Sequence, residues 1–209
     1  DREGDRFVCR VLDVKTRQRR TLPNPVYCLS PDGRWGFAPD FRRLNDCRPG
    51  YGYAGLPDPN ADQAAPTNAG IWRVDMQTGE AKLLLSFTQI AAFPFKPDVK
   101  LDNDPARSKH WFNHLLVAPD GRRFIFLHRW RGAKEGKSFA TRMLTVGSDG
   151  KSLSVVDPFG RTSHFIWRDA EHILAWALHP SHGERFYLYT DRNDPVEVVG
   201  KDVMTENGH

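Results

Sequence analysis

The chain has 209 residues, a formal net charge of +4 and a sequence pI of about 9.1. A chain of this length buries roughly 70% of its unfolded surface, so its core needs no disulfide or metal staple. The basic residues are scattered among acidic ones without a lysine–arginine tract, which argues against nucleic-acid binding, and no apolar run approaches the ~20 residues that span a bilayer.

Cys9, Cys28 and Cys47 are odd in number and lack metal-ligand spacing, as expected of free thiols in a reducing, cytoplasmic compartment. The chain opens on Asp1 inside a strand-bearing segment and stops on His209 where a new segment is due, so both ends are expected to be cut from a longer chain.

Taken in order, the chain repeats one unit. VLDVKTRQRR (Val11–Arg20) is a strand running into a polar turn, the remainder of a unit that ends before Pro25. LSPDG (Leu29–Gly33) turns the first hairpin of the next unit, opening near Val26, and IWRVDMQTGEAKLLL (Ile71–Leu85) supplies its second. VAPDG (Val117–Gly121) and MLTVGSDGKSLSVV (Met143–Val156) repeat this from His114. The degenerate WRDAE (Trp167–Glu171) and FYLYTDRNDPVEVV (Phe186–Val199) repeat it from His164. Four short strands per unit, none able to bury both faces alone, predict an all-β fold: a β-propeller of four-stranded blades. Residues 1–25 are a part-blade, full blades start near 26, 114 and 164, and another opens at 209. A closed ring needs more blades than these, and the alternative is a β-sandwich of about eight to twelve strands. Two insertions, about 42–68 and about 93–109, lack helical periodicity and are expected to be long functional loops; no helix of consequence is expected.

The histidines fall into this repeat. In HWFNHLLVAPDGRRFIFLHRW (His110–Trp130) the turn is centred near Gly121, and antiparallel pairing sets His114 opposite His128. His114 lies six residues before Asp120, His164 six before Ala170, and Val26 six before Asp32. His209 follows His164 by 45 residues, against 50 between His114 and His164. The innermost strands of a propeller line its channel, so His114, His164 and His209 are expected to converge there, in an arrangement suited to a metal or to proton transfer. His128 and Asn113 are expected to join them as substrate-binding groups. His110 reads as a loop residue, and His172, His179 and His182 as surface polar residues.

Arg142 opens the strand TRMLTV: it is either a solvated strand end or, beside the histidines, a clamp for a carboxylate. In the first insertion Arg42, Arg43, Arg48, Tyr51 and Tyr53 mix cations with aromatic faces, which suits an acidic sugar chain as well as it suits a surface loop. The tryptophans at 35, 72, 111, 130, 167 and 176 are expected to pack between blades.

FNHLLVAPDGRRFIFLHRW, the DGKSLSVV turn followed by TSHFIW, and the closing NGH resemble the oligogalacturonate lyases, polysaccharide lyase family 22; the SPDG-type turns resemble TolB-like, WD40-type propeller repeats more broadly. The resemblance covers about Phe112 to His209, and the GYGYAG insertion has no counterpart in it. It implies a seven-bladed propeller that cleaves short galacturonides, the fragments of pectin, by β-elimination with a bound Mn²⁺-like ion. It also implies that His164 is the base, Arg142 the assisting cation and His209 the first metal ligand, with the other ligands beyond residue 209. Two further readings stand beside it: a non-catalytic propeller that binds a glycan or protein partner through Tyr51 and Tyr53, and a hydrolase. The hydrolase would need paired carboxylates at channel-facing positions, and none fall in register.

Overall fold

The turn aspartates decide where the strands stop. Asp32 Oδ1 accepts from the Ser30 hydroxyl at 2.5 Å and the Arg34 amide at 3.0 Å, while Gly33, at φ +70°, donates to the Ser30 carbonyl. Asp120 and Gly121 repeat the arrangement: Asp120 Oδ1 accepts from the Arg122 amide at 3.0 Å, and Gly121 has φ +74°. Glycine holds such a φ without a Cβ penalty, so both phrases close the same turn. In the degenerate phrase Asp169 accepts from the Glu171 and His172 amides at 2.9 and 2.8 Å.

The computed structural model describes residues 1–96, 103–132, 138–193 and 195–207, and it is all-β, with five antiparallel sheets. β1 (Arg2–Glu3) pairs with β2 (Arg6–Phe7), and β3 (Cys9–Leu12) with β4 (Arg19–Leu22). The first four-stranded sheet holds β5 (Cys28–Leu29), β6 (Trp35–Pro39), β7 (Gly70–Asp75) and β8 (Ala81–Ser86). The second holds β9 (Ser108–Val117), β10 (Arg123–Gly132), β11 (Ala140–Gly147) and β12 (Ser154–Gly160). The third holds β13 (Ser163–Trp167), β14 (His172–His179), β15 (Gly183–Thr190) and β16 (Val196–Val199). Each of the three is a meander in chain order.

The second sheet is covered on both faces. Phe112, Phe124, Phe126, Leu144 and Val146 meet Phe37, Ile71 and Leu85 of the first sheet. The alternate residues Ile125, Leu127 and Met143 meet Trp167, Ile173, Ala175, Tyr187 and Tyr189 of the third. Successive side chains of a strand point to opposite faces, so the unbroken apolar run Phe124–Leu127 is the sequence of a strand buried on both sides. Trp111, Trp130, Trp167 and Trp176 are buried, whereas Trp35 and Trp72 are only partly so.

Two short α-helices interrupt the strands, one at the start of the first insertion and one ahead of the second. α1 (Phe41–Cys47) starts at Asp40, whose carboxylate accepts from the Arg42 and Arg43 amides, and it buries Phe41, Leu44 and Cys47. α2 (Phe87–Ala91) starts in a capping box in which Ser86 and Gln89 satisfy each other's amides. Two turns of helix are too short to show a 3.6-residue period, so only the caps were there to be read. Residues 97–102 of the second insertion lie outside the described residues.

The expected pairing of His114 with His128 is not formed. Phe112 lies opposite His128, His110 lies opposite Trp130, and the register shifts by one residue between Ile125 and Leu127. The turn is centred half a residue before Gly121, which alone would set Asn113 opposite His128, and the one extra residue of β9 left unpaired at the bulge moves the position on to Phe112. His110 is therefore not a loop residue but a buried position of β9.

Cys9, Cys28 and Cys47 form no disulfide, and among the described residues no helix is long and apolar enough to cross a membrane.

Candidate functional site

β9 and β13 are the first strands of neighbouring sheets, and each is interrupted by a bulge with a histidine in left-handed backbone. His114 has φ +54° and His164 φ +34°. For a residue with a Cβ this conformation costs about 1–2 kcal/mol, and bulges commonly re-aim a side chain. Both imidazoles line one cleft of about 240 Å³, together with Tyr27, Leu115, Leu116 and Phe165. Tyr27 immediately precedes β5, so all three large sheets reach the cleft through or beside their first strand: the first from the residue before β5, the second from the latter half of β9 and the third near the start of β13. Position counting pointed to Val26; its neighbour Tyr27 is the residue that lines the space.

The Tyr27 hydroxyl lies 3.4 Å from His114 Nδ1, and Tyr51 meets the His114 ring edge-on with centroids 5.7 Å apart. Burial, then the charges of Arg129 and Arg48 and the neighbouring His164, hold His114 down to about 4, so it is neutral at pH 7. Burial raises Tyr27 above its ordinary value, so its phenol keeps its proton. His164 is exposed, and its Nδ1 lies 2.9 Å from Asn207 Oδ1 and 3.0 Å from Ser163 Oγ. An amide oxygen only accepts, so Nδ1 carries the hydrogen and Nε2 the lone pair.

From the first insertion, Arg48 sits at the end of α1, donates to the Tyr51 hydroxyl at 3.2 Å and stands over the Tyr51 ring at 4.2 Å. Tyr53 is turned to another task. It stacks on Phe41 at 4.2 Å and meets Phe7 edge-on at 5.3 Å, holding the insertion to the fold. Arg43 is wholly buried and does not reach the cleft. Its five donors are all taken: Nε by the His110 carbonyl, Nη1 by Asp58 and the Asn60 carbonyl, Nη2 by the Gln63 and Ala64 carbonyls, at 2.7–3.1 Å.

Arg142 does the same for the second insertion. It is 1% exposed, and Nη1 and Nη2 donate to the carbonyls of Phe93, Pro94 and Ile90 at 3.1, 3.0 and 2.6 Å. Its Nε donates to His128 Nδ1 at 3.0 Å, and its guanidinium lies 3.8 Å over the Phe95 ring. This bond fixes the protons of two imidazoles. His128 Nδ1 accepts, so its Nε2–H donates to His110 Nδ1 at 2.8 Å, and His110 Nε2–H donates to the Pro105 carbonyl at 2.9 Å. Burial lowers His110 to about 4 and His128 well below its ordinary value, with Arg142 acting in the same direction on both, so the chain holds neutral rings. Arg142 and His128 thus belong to a buried polar chain, and neither lines the cleft. Asn113, also expected near the histidines, is buried on the opposite face of β9 from His110 and Phe112.

Among the described residues no group of three or more His, Cys, Asp or Glu side chains is placed to hold a metal ion. The cleft itself contributes two imidazoles, those of His114 and His164. His209 lies outside the described residues. Comparison of the chain with protein-family models, with curated proteins and with solved structures finds no match.

Proposed function

We propose that the chain is part of a β-propeller that cleaves short acidic oligosaccharides of the oligogalacturonate type by β-elimination, or of a close relative of such an enzyme. Three consecutive four-stranded meanders, each packed on the next, support blades of one larger ring. The observation that carries the activity is the convergence of His114 and His164, both on left-handed bulges of first strands, on one cleft with a protonated tyrosine. Strained backbone at equivalent places of two sheets is costly unless the side chains it aims are used.

In this reading the proton at C5 of the uronate leaves to Nε2 of His164, which Asn207 holds in the required tautomer. The electron pair of the C5–H bond becomes the C4–C5 double bond, and the C4–O4 bond breaks. The departing oxygen takes a proton from the Tyr27 hydroxyl, whose burial keeps that proton in place at neutral pH. Neutral His114, 3.4 Å from that hydroxyl, orients it. No step runs through a metal.

The test is formation of the ultraviolet-absorbing unsaturated uronide from oligogalacturonate, with and without Mn²⁺. His164→Asn, chosen because asparagine tolerates left-handed backbone, is expected to lower kcat by about 10²-fold or more. His172→Ala, which alters an imidazole at the first position of β14 bonded to Asp169, is expected to keep it. Equal rates in the two variants would remove His164 from the chemistry.

A second reading is a glycan- or protein-binding propeller without turnover. It is favoured by Tyr51 and Tyr53, large rings of one insertion that are 45% and 39% exposed. Saturable binding of oligogalacturonate, lost in Tyr51→Ala and accompanied by no new chromophore, is the result that selects it.

A further inference from the structure

Three guanidinium groups gather round one aromatic ring without an acidic partner among the described residues. Arg48, Arg129 and Arg131 stand 4.6, 4.8 and 5.9 Å from the centre of Phe139. Arg129 is 4% exposed, and its Nε and Nη1 are buried with no hydrogen-bond partner among the described residues. Arg48 Nη1 and Arg131 Nε are in the same condition, as are both polar atoms of the Asn113 amide. Alternation along β10 puts Arg129 and Arg131 on the same face, and Asn113 reaches that face from β9 opposite Leu127. Arg43 and Arg142 show how this chain treats a buried guanidinium that serves the fold alone, by supplying carbonyls to nearly every donor. Arg129 is not treated that way.

A buried cation without an acceptor costs several kcal/mol, and a second cation beside it adds to that cost. Burial and the nearby Arg48 accordingly bring Arg129 down to about 9. The site is one side chain below the surface, because Arg48 is half-buried and the Tyr51 beneath it is exposed. It also adjoins the cleft: Arg129 and Arg48 are the two arginines whose charge acts on His114.

We infer that Arg129 and Arg48 form a subsite for the carboxylate of an acidic sugar, with Asn113 as a further polar contact and the Tyr51 ring as the platform on which the sugar lies. A planar fork of donors matches a carboxylate bidentately, and an aromatic face suits the apolar face of a pyranose. This deepens the reading of the cleft as a uronide site and assigns charge neutralisation there to Arg129 and Arg48 in place of the occupied Arg142.

The test is calorimetric titration of the whole chain with trigalacturonate and with its fully methyl-esterified form, with chelator present. Trigalacturonate is expected to bind about tenfold or more tightly than the ester. Arg129→Met is expected to remove that difference while leaving the unfolding midpoint unchanged or raised, since it deletes an unpaired buried charge. Arg48→Met, at a half-buried position, is expected to weaken the acid alone, and Arg122→Met, at an exposed turn, to change neither. Retention of the acid–ester difference in both Arg129→Met and Arg48→Met overturns the assignment. So does tighter binding of inorganic phosphate than of trigalacturonate, which would make this a phosphate site. A midpoint that falls equally and non-additively in Arg129→Met and Glu135→Gln, within the 133–137 segment outside the described residues, overturns it as well, because the guanidinium would then be paired within the chain. Binding with full discrimination but no unsaturated product sinks the lyase reading alone. Turnover with an unaltered KM in Arg129→Met sinks the subsite alone.

Discussion

Arg43→Met is expected to destabilise the fold by about 3–5 kcal/mol, the range for removing one partner of a buried ion pair. The variant keeps most of the side-chain volume but leaves the Asp58 carboxylate, itself fully buried, with its cationic partner gone. It also leaves the carbonyls of His110, Asn60, Gln63 and Ala64 without the donor they share. The Ala64 and Asn60 carbonyls keep the His110 and Gln63 amides, so the cost of about 1–3 kcal/mol per unsatisfied buried acceptor falls on those of His110 and Gln63, and relaxation of the insertion offsets part of it. The damage should be local first. Residues 58–64 are tied to β9 through this guanidinium together with the His110 amide on the Ala64 carbonyl and the Lys109 ammonium on the Ala61 carbonyl, so amide exchange in that stretch should rise before the sheets lose protection. Arg43→Met/Asp58→Asn is expected to recover part of the loss, because asparagine carries no stranded charge and Asp58 Oδ1 already accepts from the Asn60 amide. The measurement is the urea midpoint of the single and double variants. A single variant within 1 kcal/mol of the parent would show that the insertion is held by other contacts, and the described ion pair would then carry little of the stability.

The contrast between Arg43 and Arg48 shows what a sequence of this kind discloses and what it conceals. Both lie in a stretch whose mixture of cations and aromatic rings pointed to a sugar surface. Residue type cannot separate a guanidinium that reads backbone carbonyls from one that waits for a ligand, since carbonyls belong to every residue and leave no spacing to find. The same blindness hid the task of Arg142. The resemblance sets it beside the histidines as the assisting cation, and it does bind an imidazole, but that of His128 and in the interior.

The strand units were legible because their turns are chemical. An aspartate that accepts from following amides and a glycine at positive φ are needed wherever these hairpins close, so PDG could be recognised at Asp32 and Asp120 and its variant at Asp169. The position of His114 and His164 ahead of those turns was legible for the same reason. The bulge between Ile125 and Leu127 was not, because it is set by how β9 meets its neighbours and has no glycine to announce it. A turn centred half a residue before Gly121, followed by this one hidden residue, sets Phe112 opposite His128 in place of His114 and leaves His110 to meet the His128 ring. His110 could have been found by a different signal: His110, Phe112 and the positions facing them, His128 and Trp130, alternate with Trp111, Asn113 and Arg129, as in a strand with both faces covered.

Acid is expected to unfold the chain between about pH 6.5 and 4 through these same histidines. His110 and His114 are held down to about 4 and His128 lies lower still, whereas in the unfolded chain each takes up its proton near 6.5. Over that interval the unfolded state binds more protons than the folded one, so stability rises with pH and is lost as pH falls. A separation of about 2.5 units corresponds to roughly 3 kcal/mol for each of His110 and His114, with the His110–His128 pair titrating as one coupled system. Asp157 works in the opposite direction, since burial pushes its carboxyl up to about 6 and the folded state then gains a proton first. Burial raises the Asp40 carboxyl as well, but two carboxyls do not offset three imidazoles, so the net effect of acid is destabilising. The structural consequence is specific. A proton on His110 Nδ1 turns the acceptor of His128 into a second donor, and the bond that joins Arg142 through two rings to Pro105 is broken at its middle. Thermal unfolding followed from pH 7.5 to 4.5 should show uptake of about two protons near pH 5.5, and His114→Asn, which suits its left-handed backbone, should remove about one of them. A midpoint that does not move with pH over this interval would mean that the buried rings are already charged in the fold, and the neutral chain from Arg142 to Pro105 would be wrong.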